Sequence, residues 1–97
     1  MSITAMTRVV FDPDVYDEVI ELGKQALRIF EQQPGFICIR QFKVMDKSEI
    51  LTMVEFESEL AYRSCQESPD WLMLMPQWCA LQEDGEVTLQ TSLLEQL

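Results

Sequence analysis

The spacing of apolar residues alternates between a repeat of two and a helical repeat, in the order strand, helix, strand, strand, helix, strand. In residues 3–11, Ile3, Ala5, Thr7, Val9 and Phe11 fall on one face of an extended segment. Asp12 is a good N-cap, Pro13 suits the first helical position, and Asp14 complements the helix dipole. Val15, Val19, Leu22, Ala26 and Phe30 then recur at helical spacing, and Tyr16, Ile20 and Leu27 widen the stripe. Gly23 interrupts this helix at a cost of about 1 kcal/mol relative to Ala, and is expected to permit close approach to the sheet. Gln33-Pro34-Gly35 ends the helix.

Residues 36–45 and 49–57 read as two strands of an antiparallel hairpin, joined by the turn Asp46-Lys47-Ser48. The third strand carries Ile50, Thr52, Val54 and Phe56 on one face and Leu51, Met53 and Glu55 on the other. That second face is too apolar for one left in water, and the sequence holds no further helices to cover it. Ser58 caps a helix from Glu59 to about Glu67, and Ser68-Pro69-Asp70 begins a fresh helical stretch. Pro76 is expected to break or kink that stretch, with residues 77–82 forming a further turn. After Glu83-Asp84-Gly85, residues 86–94 form the last strand, with Val87, Leu89, Thr91 and Leu93 on one face.

The order β-α-β-β-α-β predicts an α+β, ferredoxin-like fold with a four-stranded antiparallel sheet, in a single domain over residues 1–97. Helices cover one sheet face. The open face, with Ile37, Ile39, Leu51 and Met53, is expected to meet the same face of a second copy in a homodimer.

Charge and composition narrow the function classes. The net charge is −10, and residues 49–97 carry −9 of it with Arg63 as their lone cation, expected to pair with Glu59 or Glu67. Such a chain repels nucleic-acid backbones and anionic membranes. No apolar run approaches the ~18 residues of a membrane helix, and Met1-Ser2-Ile3-Thr4 lacks the basic start of a signal peptide. Cys38, Cys65 and Cys79 form no Cys-x-x-Cys pair, so reduced thiols in a cytoplasmic protein are the simplest account. Histidine is absent, which removes His-based triads, His-ligated zinc and proximal-His haem. No metal site is expected, and Gly23, Gly35 and Gly85 make no phosphate loop.

Three segments carry a resemblance: Gln33-Pro34-Gly35-Phe36, then Met53-Val54-Glu55-Phe56-Glu57-Ser58, then Leu60-Ala61 through Glu67-Ser68-Pro69-Asp70. Together with the element order over about the whole chain, they resemble the antibiotic biosynthesis monooxygenase domain family. The resemblance implies a dimeric α+β barrel, in which two sheets pack face to face. It also implies a cavity between sheet and helices, in which enzyme members oxidise phenolic, quinol or polyketide-like aromatic substrates with O₂, often with no metal or organic cofactor. Positions at which members carry histidine correspond here to Cys65 and Asp70, and the axial-histidine position of haem-degrading members corresponds to Met75. Those differences turn the expectation away from haem degradation.

Candidate site residues follow from chemistry. Trp71 and Trp78, seven apart, share a helical face and either wall an aromatic ligand or pack in a core or dimer contact. Met75 suits an adaptable apolar pocket. Arg40, in mid-strand, either anchors an anionic ligand or pairs with a carboxylate such as Glu55 across the dimer. Cofactor-free oxygenation needs an ionised substrate, and Glu55, Tyr62, Asp70 and Cys65 are the candidate bases, with none selected by pattern. Two readings result: a cofactor-independent monooxygenase, or a non-catalytic dimeric module of the same fold that binds a small ligand or a protein.

Overall fold

Three polar residues start the helices. Asp12 accepts a hydrogen bond from the Asp14 amide at 2.9 Å, opening a short 3₁₀ turn over Pro13–Val15 that leads into α1, Tyr16–Glu31. The Ser58 hydroxyl accepts from the Ala61 amide at 3.1 Å and opens α2, Glu59–Gln66. The Ser68 hydroxyl accepts from the Trp71 amide at 3.4 Å and opens α3, Pro69–Glu83. Each cap satisfies an amide that has no partner within its helix. The computed structural model describes all of residues 1–97.

Four strands, β1 (Ile3–Phe11), β2 (Phe36–Lys43), β3 (Glu49–Phe56) and β4 (Val87–Glu95), pair antiparallel in the order β2-β3-β1-β4. The complete order is therefore βαββααβ, the ferredoxin-like arrangement with its second helical segment divided at Glu67 and Ser68. The β2–β3 loop spans residues 44–48, longer than the three-residue turn expected, and Asp46 takes a left-handed φ of 62° there. Asp tolerates that conformation because its short polar side chain bonds locally.

Pro76 does not break α3, which runs unbroken to Glu83. The carbonyl left without a partner is that of Leu72, four residues earlier, and both residues lie on the exposed side, where water satisfies it. Ile39 does not belong to the open face. A bulge between Phe36 and Cys38 shifts the register, so that Ile39 pairs with Val54 and packs beneath the helices. Arg40 and Phe42 take the open face instead, opposite Met53 and Leu51.

Burial divides into two clusters under the helices. One gathers Val9 and Phe11 of β1, Val19 and Leu22 of α1, and Leu74, Trp78 and Leu81 of α3, with Val87. The other gathers Ala5, Phe30, Val54, Phe56, Tyr62 and Cys65. Ala26 and Ile29 pack against both.

The family-like segments meet at the second cluster. Gly35 has φ +85°, and a Cβ there would sit 2.7 Å from Ala61 Cβ. The Glu57 amide donates to the Gly35 carbonyl at 2.8 Å, and Ser58 caps α2. Phe56 is fully buried between the rings of Phe30, Phe36 and Tyr62, at centroid distances of 6.1, 6.1 and 5.8 Å. Pro-Gly-Phe and Phe-Glu-Ser thus form one structural joint between the α1–β2 turn and the β3–α2 turn.

Candidate active site

A cavity of about 420 Å³ lies between the sheet and the helices, bordered by members of both clusters. Its floor consists of cross-strand rows. Val54 and Ala5 form one row, Ile50, Val9 and Leu89 another, and Gln41, Thr52, Thr7 and Thr91 a polar row between them. The alternation of side chains along each strand puts these positions on the helix side.

The roof comes from all three helices. Ile20, Gly23, Ala26, Leu27 and Phe30 of α1 face Tyr62 and Gln66 of α2 and Trp71, Met75 and Trp78 of α3 across the space. Trp71 packs against Phe30 with ring centroids 4.9 Å apart and the planes tilted by 39°, within the distance range of favourable aromatic pairs. Trp78 is buried, at 6% exposure. Gly23 does not bring α1 close to the sheet as expected. A Cβ built there meets nothing within 4 Å, and the glycine leaves cavity space instead.

The ionisable groups on the cavity wall are Lys24 and Tyr62. Burial, followed by the neighbouring Cys65, raises the Tyr62 phenol above its ordinary value. It therefore keeps its proton at neutral pH. The Tyr62 hydroxyl accepts a hydrogen bond from Gln66 Nε2 at 3.0 Å, so its own proton remains for another acceptor. This environment suits Tyr62 as a hydrogen-bond donor rather than as the base that its residue type suggests. Cys65 lies behind the wall, fully buried, and burial pushes its thiol up to about 11. A thiol held so far above neutral pH is a poor nucleophile or base.

The sequence candidates thus fall into two groups. Tyr62, Trp71, Met75 and Trp78 converge on one cavity. Arg40 and Glu55 lie on the opposite sheet face, where Arg40 pairs in register with Met53, and Glu55 Oε1 accepts from Cys38 Sγ at 3.5 Å. Arg40 cannot reach a ligand under the helices from there. Asp70 is exposed, on a shallow surface groove between α1 and α3 with Arg28 and Gln77. Arg63 bonds Glu59 at 2.7 Å, as the helical spacing predicts. No group of three or more Cys, Asp and Glu side chains converges in a metal-binding cluster, and no helix is long and apolar enough to cross a membrane.

Sequence reasoning missed Lys24, Gln66 and the polar row. The signal for the row was present as one threonine in the middle of each apolar face of β1, β3 and β4. Only the strand register aligns them.

No protein-family model matches the sequence, and no curated protein matches it either. Solved structures do match, over nearly the whole chain. SnoaB, a cofactor-independent oxygenase from Streptomyces nogalater, is 21% identical, with 99% of this chain and 93% of that chain covered and a TM-score of 0.75. Rv0793 from Mycobacterium tuberculosis is 16% identical, with 100% and 96% covered and a TM-score of 0.84. An antibiotic biosynthesis monooxygenase is 12% identical, with 98% of each chain covered and a TM-score of 0.80. At the level of fold, these matches bear out the resemblance carried by the Pro-Gly-Phe and Phe-Glu-Ser segments.

Proposed function

We propose that this chain is a cofactor-independent monooxygenase that binds a phenolic, quinol or polyketide-like aromatic compound in the cavity and oxidises it with O₂. The observation that carries the reading is the cavity itself. Its aromatic and apolar walls suit a planar ring system, the Tyr62 proton is free to meet an oxyanion, and exposed Lys24 stands at the rim. The likeness of the fold to that of a cofactor-independent oxygenase adds support.

Electron-rich aromatics react with O₂ through their anions, so the protein's task is to hold the anion dry and oriented. For an anthrone, the methylene carbon loses two hydrogens and gains a carbonyl oxygen. One atom of O₂ enters the product, and the other leaves as water with those hydrogens. No carboxylate lines the cavity, so the substrate proton passes to solvent. The rate then rises with pH along the ionisation of the substrate itself. Tyr62→Phe removes one donor to the anion and is expected to slow turnover by about a hundredfold.

The missing carboxylate also favours a second reading, a ligand-binding module without turnover. An oxygen electrode with a panel of hydroquinones and anthrones separates the two. Uptake above buffer that falls in Tyr62→Phe supports the oxygenase. Binding without uptake by any compound supports the module.

The proposal includes a homodimer through the open sheet face and a cytoplasmic location. Val10, Phe42 and Leu94 of that face are 40%, 48% and 38% exposed, beside half-buried Leu51 and Met53, an apolar surface suited to a twin. Light scattering should return twice the 11.3 kDa chain mass, and the chain mass itself would rule the dimer out. The three cysteines are free, in keeping with a reducing compartment.

A further inference from the structure

The polar row of the cavity floor runs through all four strands. Gln41 of β2 stands opposite Thr52 of β3, Thr52 opposite Thr7 of β1, and Thr7 opposite Thr91 of β4. The four side chains make a single file across the whole sheet, one per strand, at the ~4.8 Å spacing of adjacent strands. All four border the cavity. The apolar rows Val54–Ala5 and Ile50–Val9–Leu89 flank the file on both sides.

We propose that this file selects the ligand, by receiving a line of oxygen substituents along one edge of a fused-ring aromatic. The proposal rests on the cavity reading above and deepens it, from aromatic compounds in general to those oxygenated along one edge.

The hydrogen-bonding state of the file supports the assignment. Thr7 and Thr91 share one bond, with hydroxyl oxygens 3.1 Å apart. That pair retains one hydroxyl proton and several lone pairs. The Thr52 hydroxyl has no protein partner within bonding distance, yet it is not sealed off as a buried unsatisfied group, so it opens to the cavity. Valine would serve the strands equally well at these positions. It would also leave a floor better suited to a bare hydrocarbon. Hydroxyls and an amide can both donate and accept, so phenols and carbonyls both fit.

A ring system lying across the strands keeps its faces against the apolar rows and the Trp71, Met75 and Trp78 wall, with its oxygenated edge along the file. Polar groups scattered around the rim of the ring would be set against valine, isoleucine and leucine. Hydrogen bonding to a built polar site discriminates strongly, because the analogue that lacks the oxygen leaves the site unpaired. The inner members, Thr7 and Thr52, are half-buried, and the outer two are exposed. The inner pair should therefore dominate the discrimination.

Tryptophan fluorescence provides the test, under nitrogen so that no turnover occurs. Three probes are titrated: naphthalene, a mononaphthol, and the naphthalene diol with one hydroxyl on each ring along the same edge. The wild-type chain should bind the diol at least about tenfold more tightly than naphthalene. Thr52→Val and Thr7→Val, close in shape to the originals, should each remove most of that preference by weakening the diol, with naphthalene bound at least as tightly as before. Gln41→Leu, at an exposed edge position that tolerates substitution, should reduce it by a smaller factor and covers the case in which an inner variant does not fold. Equal affinity for diol and naphthalene in the wild type, or a preference that survives the valine variants, overturns the file while leaving the aromatic cavity intact. Failure of all three probes to bind overturns the cavity reading and the file with it.

Discussion

Gly23 sits in the middle of α1, a sixteen-residue helix, and apart from the adjacent helix backbone nothing lies within 4 Å of where a Cβ would be. Glycine at an interior helical position costs about 1 kcal/mol relative to alanine. Nothing in the packing offsets that cost, since the missing side chain borders open cavity. Gly23→Ala should therefore stabilise the protein by about 0.5–1 kcal/mol. For a domain of this size that corresponds to a rise in Tm of roughly 2–8 °C. Gly23→Leu places a branched side chain in the same space and should keep the fold while weakening an aromatic ligand at least about tenfold. Urea unfolding followed by far-ultraviolet circular dichroism gives the stabilities, at fixed protein concentration because a dimer makes them concentration-dependent. Fluorescence titration gives the affinity. A destabilised Gly23→Ala would mean that α1 packs tightly at this point. Unchanged affinity in Gly23→Leu would mean that the ligand binds elsewhere.

Gly35 and Gly85 both have positive φ, but only Gly35 would also bring a Cβ within 2.7 Å of another side chain. Gly85→Ala should cost about 1–2 kcal/mol from the backbone alone, and Gly35→Ala a further 1–3 kcal/mol, roughly, from overpacking; equal losses in urea unfolding would contradict the Gly35–Ala61 contact. Partial desolvation, followed by the charges of Asp84, Glu18, Asp12 and Asp14, raises the Glu86 carboxyl. A raised carboxyl contributes stability below its unfolded value of about 4.3, and that contribution is lost as pH rises through the folded value. Glu86→Gln should therefore raise Tm at neutral pH and low salt, and the gain should vanish in acid; a lower Tm at neutral pH would show the charge to be favourable. Cys65 is buried, with its thiol near 11, whereas Cys79 is exposed. A thiol reagent at neutral pH should modify Cys79 rapidly and Cys65 only on unfolding, and mass spectrometry of the labelled peptides decides the point.

The fold was legible because its determinants are local. Asp12, Ser58 and Ser68 cap helices as their types predict, and the period of two marks every strand. A local rule fails where a distant part of the fold decides the outcome. Pro76 is tolerated because the carbonyl it strands faces water, and no proline rule contains that information. Ile39 changed faces because of one bulge, whose effect on side-chain direction propagates down the strand.

The site was legible in part, for the same reason. Trp71, Met75 and Trp78 share a helix, so their spacing alone places them together, and Tyr62 joins them from the neighbouring helix. Residue type alone singles out Glu55 and Arg40, whereas the strand register puts both on the far face. Thr7, Thr52 and Thr91 carry no signature of their own. Their meaning lies in the cross-strand register, which is a property of three separate pairings.

The proposed oxygen chemistry inside this cavity is open to a direct test. Single-turnover oxidation of an anthrone under heavy-isotope O₂ tests it, with wild type and Gly23→Leu side by side. One labelled oxygen per product is expected in the wild type, at a rate well above buffer, with a rate near buffer in the plugged variant. Equal rates in the two proteins, or wild-type labelling no faster than in buffer, would contradict it.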